Sequence, residues 1–416
     1  MAGFIDILRT GAWLTRERMR LITFALLAAF VLGAGFLITT SDGLNDRFGR
    51  PLGTDFSNVY AAGTYVLDGQ AAAPFDPAKQ FAREQAIFGQ ATQFYGWHYP
   101  PFFLGLAALL ATMPYWQSLL LWQGATLLLY LLAMRAIVIA SPFPLQGEVK
   151  KVRLLLALAF PAVFINLGQA HNGFLTAALC GAALVMLVER PILAGVLIGC
   201  LAYKPQFGLL IPLVLIASGR WRAFAAAAVT VALLALAVTF AFGTEVWTAF
   251  LASTTFTRTV VLEQGGTGWY KIQSVFAWVR MWGGGIALAY ALQAAVMLAV
   301  AAALAWLWRS KAAYPLKAAA LLIGSVLATP YSLDYDLMLL APAIAYLVVD
   351  GVARGFGPYE KTILAALWIV PLVARSVPQA TLIPLAVPIL LLAFTMVLRR
   401  AMHESSQWRF PAAALK

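Results

Sequence analysis

Four short stretches carry polar residues where the surrounding sequence is apolar. Gly53-Thr54-Asp55-Phe56-Ser57-Asn58 offers a carboxylate and a carboxamide at i, i+3, neighbours on a helix. Gly168-Gln169-Ala170-His171-Asn172-Gly173 gathers two carboxamides and an imidazole in one turn. Tyr203-Lys204-Pro205-Gln206 sets an ammonium group between two apolar runs. Thr329-Pro330-Tyr331-Ser332-Leu333-Asp334-Tyr335-Asp336 adds a phenol and two carboxylates. A lysine flanked by apolar spans is expensive and marks a pathway or a bound anion. Residues 41–100 hold Asp42, Asp46, Asp55, Asp68, Asp76 and Glu84, with few other acids between apolar segments. Carboxylates gathered beside aromatic and Pro-rich sequence point to chemistry or recognition rather than simple conduction.

Each candidate also has a purely structural reading. Asp55 suits the first turn of a helix, where the macrodipole favours a carboxylate, with Thr54 as the N-cap. Gln169 and Asn172 suit backbone groups at a turn. Asp334 suits an N-cap after Pro330. Lys204 has a snorkelling alternative. His98, in Trp97-His98-Tyr99, reads as an interfacial neighbour, and Trp97, Tyr99, Trp116 and Trp122 read as an aromatic belt.

The elements that must position these residues are membrane helices. The chain of 416 residues is 62% hydrophobic and 11% charged, with mean hydropathy +0.82. A soluble protein carries about 25% charged residues. Apolar runs of ~20 residues recur, each long enough to span a bilayer. One integral membrane domain over residues 1–416 is expected. The first run, Leu21 to Thr39, is too long and its exit too polar for a cleaved signal peptide. The net charge of +12 follows the positive-inside pattern rather than a nucleic-acid surface. Cys180 and Cys200 read as buried hydrophobes, and three histidines without a His/Cys cluster argue against zinc.

Arg16, Arg18 and Arg20 place the N-terminus inside. So do Lys150, Lys151 and Arg153; Arg220 and Arg222; Arg309 and Lys311; and Arg399 and Arg400 for their segments. About twelve spans follow, near 21–39, 115–135, 154–168, 173–188, 191–203, 205–218, 222–242, 285–308, 315–330, 334–349, 361–375 and 381–398. Pro101 to Met113 is too short to cross and reads as a half-membrane dip. The short spans imply a hollow on the outer side. Within the first external loop, 41–100, two surface-lying helices are expected: Asp55 to Asp68 with Phe56, Tyr60, Gly63 and Leu67 on one stripe, and 77–89 with Phe81, Gln85 and Phe88. A second external loop spans 243–283.

The four motifs, in this order with Tyr99-Pro100-Pro101, resemble the GT-C superfamily of polytopic glycosyltransferases. Within it the chain is most similar to glycosyltransferase family 87, the polyprenyl-phosphate-mannose-dependent α-1,2-mannosyltransferase type. The resemblance implies a hexose, mannose at the family level, carried on a polyprenyl phosphate and passed to a glycan or glycolipid acceptor. It implies an active site on the periplasmic side of a bacterial inner membrane, and a catalytic base at Asp55. On that reading the transfer inverts. Lys204, with Arg258, Lys271 or Arg280 in support, holds the donor phosphate. Gln169, His171, Asn172 and Gln206 bind the donor sugar or phosphate, and Asn58, His98, Tyr331, Asp334 and Asp336 face the acceptor. Neither a cofactor nor a metal is called for. The rival expectations are a secondary transporter or lipid flippase, and a glycan polymerase or ligase using a diphosphate-linked donor.

Overall fold

The computed structural model describes residues 2–140 and 154–407; Lys150, Lys151 and Arg153 lie outside them. The described residues form helices, turns and three isolated β-bridges, with no strand. Six helices are long and apolar enough to cross a membrane: Arg16–Thr39, Tyr115–Ile139, Trp221–Phe242, Ile286–Arg309, Asp334–Arg354 and Ala386–Glu404. Five shorter apolar helices accompany them: Pro101–Ala111, Gly173–Met186, Pro191–Tyr203, Pro205–Ala217 and Tyr314–Ala328. The chain is an all-α, polytopic membrane protein.

The remaining expected spans are short or broken, and proline accounts for the breaks. The 154–168 span divides before Pro161, which opens the helix Pro161–Gln169. The 205–218 span divides into Pro205–Gly208 and Ile211–Ala217, with Pro212 in the second first turn. The 381–398 span begins later, at Ala386, after left-handed Leu382 and Pro384. A ring in place of an N–H is tolerated in the first turn of a helix but not inside it. The segment after Pro101 contains a helix of 8 residues, Leu104–Ala111. Its length of about 12 Å is far below a bilayer core.

Three helical hairpins share one design. Pro161–Gln169 and Gly173–Met186 meet at residues 170–172. Pro191–Tyr203 and Pro205–Ala217 meet at Lys204. Tyr314–Ala328 and Asp334–Arg354 meet at residues 329–333. A fourth turn, around Arg375, follows Glu360–Val373. The far ends carry Arg190, Arg220 and Arg354, and Arg220 ties two of them by donating to the Leu187 carbonyl (2.9 Å). The polar tips therefore point away from the basic ends.

The two expected helices of the first loop form at Thr54–Leu67 and Pro77–Phe88, with two corrections. Phe56 is fully buried, but Leu67 is exposed and leaves the stripe. In the second helix the buried face is Gln80, Glu84 and Phe88 rather than Phe81, Gln85 and Phe88. Polar partners explain the shift: Gln80 donates to the Asn58 carbonyl (3.0 Å), and Glu84 accepts from the backbone of Tyr95 (3.0 Å) and Gly96 (3.1 Å). Gly63 lets the first helix approach Leu104–Ala111, since a Cβ there would stand 2.1 Å from the Ala107 carbonyl oxygen. Trp97 and Trp122, expected in a surface belt, are buried with Phe56, Phe103 and Tyr115. Their rings stack and tilt around the base of the loop. The 243–283 stretch, read as a loop, contains the helices Glu245–Phe256 and Val275–Met281 and a π-helical turn, Thr257–Glu263. An N-terminal helix, Ala2–Thr10, was also not anticipated.

Candidate functional site

The four polar motifs meet on one cavity of about 780 Å³. Its wall takes Asp55 and Asn58 from the first loop, His98 and Tyr99 from the segment before Pro100, and Gln169 and His171 from the first hairpin tip. Lys204 and Gln206 come from the second tip, Tyr331 and Asp336 from the third, and Arg375 from the fourth. Arg258 and Lys271 close it from the 243–283 stretch.

Backbone geometry sets Asp55. Gly53 occupies the cap position with φ 72, and Thr54 is already helical, so the expected Thr54 cap is corrected. The Gly53 carbonyl accepts from Phe56 (2.8 Å) and Ser57 (3.3 Å). A side chain on Gly53 would meet Leu119 and Ala170 in addition to an unfavourable φ. Tyr115 fixes the preceding residue by donating to the Leu52 carbonyl (2.5 Å). Trp122, two helix turns along, donates to the Ala170 carbonyl (3.0 Å). One helix thus braces both the Asp55 loop and the 170–172 tip. Ala170 itself is left-handed (φ 50), a conformation costing roughly 1–2 kcal/mol outside glycine. Strain of that kind persists where surrounding contacts over-determine it.

The Asp55 carboxylate makes no hydrogen bond or ion pair among the described residues. The protein around it pushes its pKa up to about 7, against the opposing pull of Arg375, Lys204 and Lys271; Asp334 pushes the same way as burial. A carboxylate of that strength holds and releases a proton near neutral pH. His98 behaves oppositely: burial lowers it to about 4, so it stays neutral, with Nδ1 3.0 Å from the Thr257 hydroxyl.

Lys271 Nζ, on the same wall, makes no ion pair among the described residues and lies 5.7 Å from the centroid of the Tyr270 ring, whereas Lys204, Asp336, Asp334 and Arg375 are paired. Lys204 Nζ donates to Asp336 Oδ1 at 2.6 Å, both groups being buried, and the ammonium lies over the rings of Tyr335 and Phe207. Asp336 Oδ2 accepts from the Leu333 N–H (3.0 Å), so Asp336 and not Asp334 caps that turn. Asp334 is buried behind Arg375, which approaches it through Nε (2.5 Å) and Nη2 (2.9 Å). The same Nη2 donates to Gln169 Oε1 (3.2 Å). His171 stacks on Tyr335, ring centroids 3.5 Å apart, and its Nε2 lies 3.2 Å from the Tyr99 hydroxyl.

Several expected residues stand off the wall. Asn172 is buried, with both carboxamide atoms unpartnered. Asp334 reaches the cavity only through Arg375. Arg280 turns away to the carbonyls of Gly284 (2.7 Å) and Glu263 (3.1 Å) and lies over Trp269. Other residues matter that were not singled out. Asn166 joins the first and third tips, donating to the Tyr335 carbonyl (3.0 Å) and accepting from Gly173 N–H (3.0 Å). Arg50 lines the cavity while paired with Asp46 (2.9 Å), and Glu84 holds the 95–96 backbone. Arg375 is another.

The wall carries five cations, Arg50, Lys204, Arg258, Lys271 and Arg375, against three acids, Asp46, Asp55 and Asp336, while Asp334 and Glu263 stand off the wall as the partners of Arg375 and Arg258. Such a hollow suits an anionic group beside a proton acceptor. No curated protein and no solved structure gives a significant match to the chain. The profile of glycosyltransferase family 87 matches residues 97–330, more than half of the 416 residues, and the chain belongs to that family of glycosyltransferases.

Proposed function

We propose that this glycosyltransferase moves a hexose from a polyprenyl-phosphate donor to a hydroxyl of a glycan or glycolipid, with inversion and with Asp55 as general base. Mannose in a bacterial inner membrane is what the family resemblance favours, and the extracytoplasmic face is the side favoured by the basic helix ends. The observation that carries the reading is a carboxylate without an ion-pair partner among the described residues, in one cavity with Lys271 and the partly exposed Arg375. Family membership sets the transporter reading aside.

The acceptor hydroxyl gives its proton to an Asp55 oxygen as its own oxygen bonds the anomeric carbon. The bond from that carbon to the donor phosphate breaks, and its electron pair leaves on the phosphate oxygen. The cations opposite stabilise that charge as it develops. The Asp55 carboxylate also favours positive charge growing on the sugar ring. On this reading Gln169, His171, Gln206 and Lys271, all on the wall, bind the donor head, and Asn58, His98 and Tyr331, also on the wall, bind the acceptor.

The test is direct incubation of the purified protein with polyprenyl-phosphate-linked hexoses and candidate acceptors, with products read by mass and anomeric configuration by NMR. Transfer from a polyprenyl-phosphate hexose with inversion is expected. Activity confined to nucleotide sugars, or a product of retained configuration, would sink the proposal.

A further inference from the structure

Lys204 is the obvious phosphate ligand by sequence, yet its surroundings argue otherwise. Its side chain is 5% exposed, its ammonium already meets Asp336, and Phe207 and Tyr335 lie against it. One of its three N–H donors is committed to Asp336, and the rings of Tyr335 and Phe207 lie 5.3 and 5.6 Å from the ammonium, so little of it is open to the cavity. Arg375 is placed differently. It sits at a turn on the cavity wall, and its side chain is 38% exposed.

Resting on the function proposed above, we infer that Arg375, not Lys204, is the group that receives the departing phosphate, with Asp334 and Gln169 as its positioning residues. Three observations combine. Asp334, 2% exposed at its side chain, accepts from Nη2 through Oδ1 (2.9 Å) and brings Oδ2 within 2.5 Å of Nε, which holds the guanidinium by this edge. Gln169, itself on the cavity wall, takes a further bond from Nη2 and limits rotation. Nη1 meets no protein acceptor among the described residues. A planar fork held on one edge presents its remaining donors without reorganisation, which is what a developing phosphate charge rewards. The Ala374 carbonyl also accepts from Gln273 (2.8 Å), whose own N–H bonds the Ser332 carbonyl (2.7 Å). The Arg375 turn is thereby tied to the 329–333 tip on both sides.

The arrangement divides labour between two similar ion pairs. Lys204–Asp336 is a buried brace that shapes the Leu333 turn. Asp334–Arg375 is a mount with one open edge.

The experiment measures binding of a short-chain polyprenyl monophosphate, the leaving group itself, to purified protein in detergent, with the corresponding polyprenol as the phosphate-free probe. Arg375→Gln alone leaves Asp334 buried and unpaired, so the double variant Arg375→Gln with Asp334→Asn is made alongside it. Both are expected to weaken polyprenyl-phosphate binding at least tenfold and to leave polyprenol binding within twofold. Arg375→Lys should recover only part of the loss, because an ammonium lacks the fork. Asp334→Asn alone should raise KM for the donor with a smaller change in kcat, the mark of a loosened mount. Unchanged polyprenyl-phosphate affinity in the double variant overturns the assignment, as does a loss confined to Lys204→Gln with Asp336→Asn. A wild-type protein that binds polyprenol and polyprenyl phosphate equally would instead overturn the lipid-phosphate donor reading on which the assignment stands.

Discussion

The two ends of the bundle hold buried acids in contrasting ways. At the basic end Asp350, 2% exposed at its side chain, meets Arg354 and, at 2.7 Å, Arg400. Arg354 continues to Glu404 (2.5 Å) and Arg400 to Glu360 (2.5 Å). The carboxylates also accept backbone N–H groups, Glu360 from Gly357 (2.8 Å) and Glu404 from Ala313 (3.1 Å). This network clamps the ends of Leu340–Arg354, Glu360–Val373 and Ala386–Gln407. Asp336 and Asp350 belong to the same run of helix, 14 residues or about 21 Å apart. At the Asp336 end two pairs are equally tight, but Asp55, on the wall of the same cavity, has no partner among the described residues. A closed network spends its charge on itself. A carboxylate left unpaired beside a cavity is costly to keep, and it is the one free to take a proton.

The largest effect should come from breaking the open end. Asp55→Asn keeps shape and removes the proton acceptor. Transfer should fall by ~10²–10⁴-fold while donor binding and the unfolding midpoint stay near wild type. Near-normal transfer would erase the distinction between the two ends. The complementary change is Asp350→Asn. It removes the buried carboxylate that two arginines share, leaving Arg354 with Glu404 and Arg400 with Glu360, and should destabilise the fold by about 3 kcal/mol, the low end for a buried pair because each arginine keeps a second partner. The readout is the thermal midpoint in detergent, with kcat per folded molecule unchanged. A variant of normal stability and lost activity would mean the clamp is not a clamp.

Acidity sharpens the comparison further. Asp55 must be deprotonated to act, and its pKa lies at about 7. Below that value kcat/KM should fall about tenfold per pH unit; above it the rate should level off. His98, lowered to about 4, contributes nothing in this window. A profile flat from pH 5 to 8 would show that no group of this strength acts in the rate-limiting step.

Much of this site was legible before any coordinates, and the reasons are local. Pro100-Pro101, Gly53 and the interrupted apolar runs declare turns at membrane depth, and polar residues in those turns have few places to go but a shared hollow. Parity of the basic residues put the four motifs on one side, where they meet. Partner choice was not legible. Lys204 and Asp336 are 132 residues apart, and Arg375 lies 41 residues from Asp334 and 206 from Gln169. Nothing in a short window announces such pairs, so Lys204 looked free and Arg375 was not singled out. Periodicity failed for the helix Pro77–Phe88 because it weighs apolar residues, whereas the buried face there is polar and satisfied by backbone groups. Arg280 looked like a phosphate ligand by charge alone, but carbonyls and the Trp269 ring already occupy it.

Glu84 gives the smallest effect and separates two origins for the same pH limb. It is fully buried, and burial raises its pKa to about 7 as well, against the hydrogen bonds of Tyr95, Gln80 and Gly96. Its carboxylate organises the 93–99 segment, whose residues Tyr95, His98 and Tyr99 line the cavity, and Gln80 connects it to the Asn58 carbonyl on the Asp55 helix. Glu84→Gln keeps the volume but sets an NH₂ against a backbone N–H, a loss of roughly 1–3 kcal/mol. If Asp55 is the group that titrates, this variant lowers kcat only several-fold and leaves the acid limb at about pH 7. If the limb disappears, the proton that matters belongs to Glu84, and the loop it holds, rather than the unpaired carboxylate at the wall, sets the acid dependence. Measuring kcat/KM from pH 5 to 9 for Glu84→Gln beside wild type decides between them.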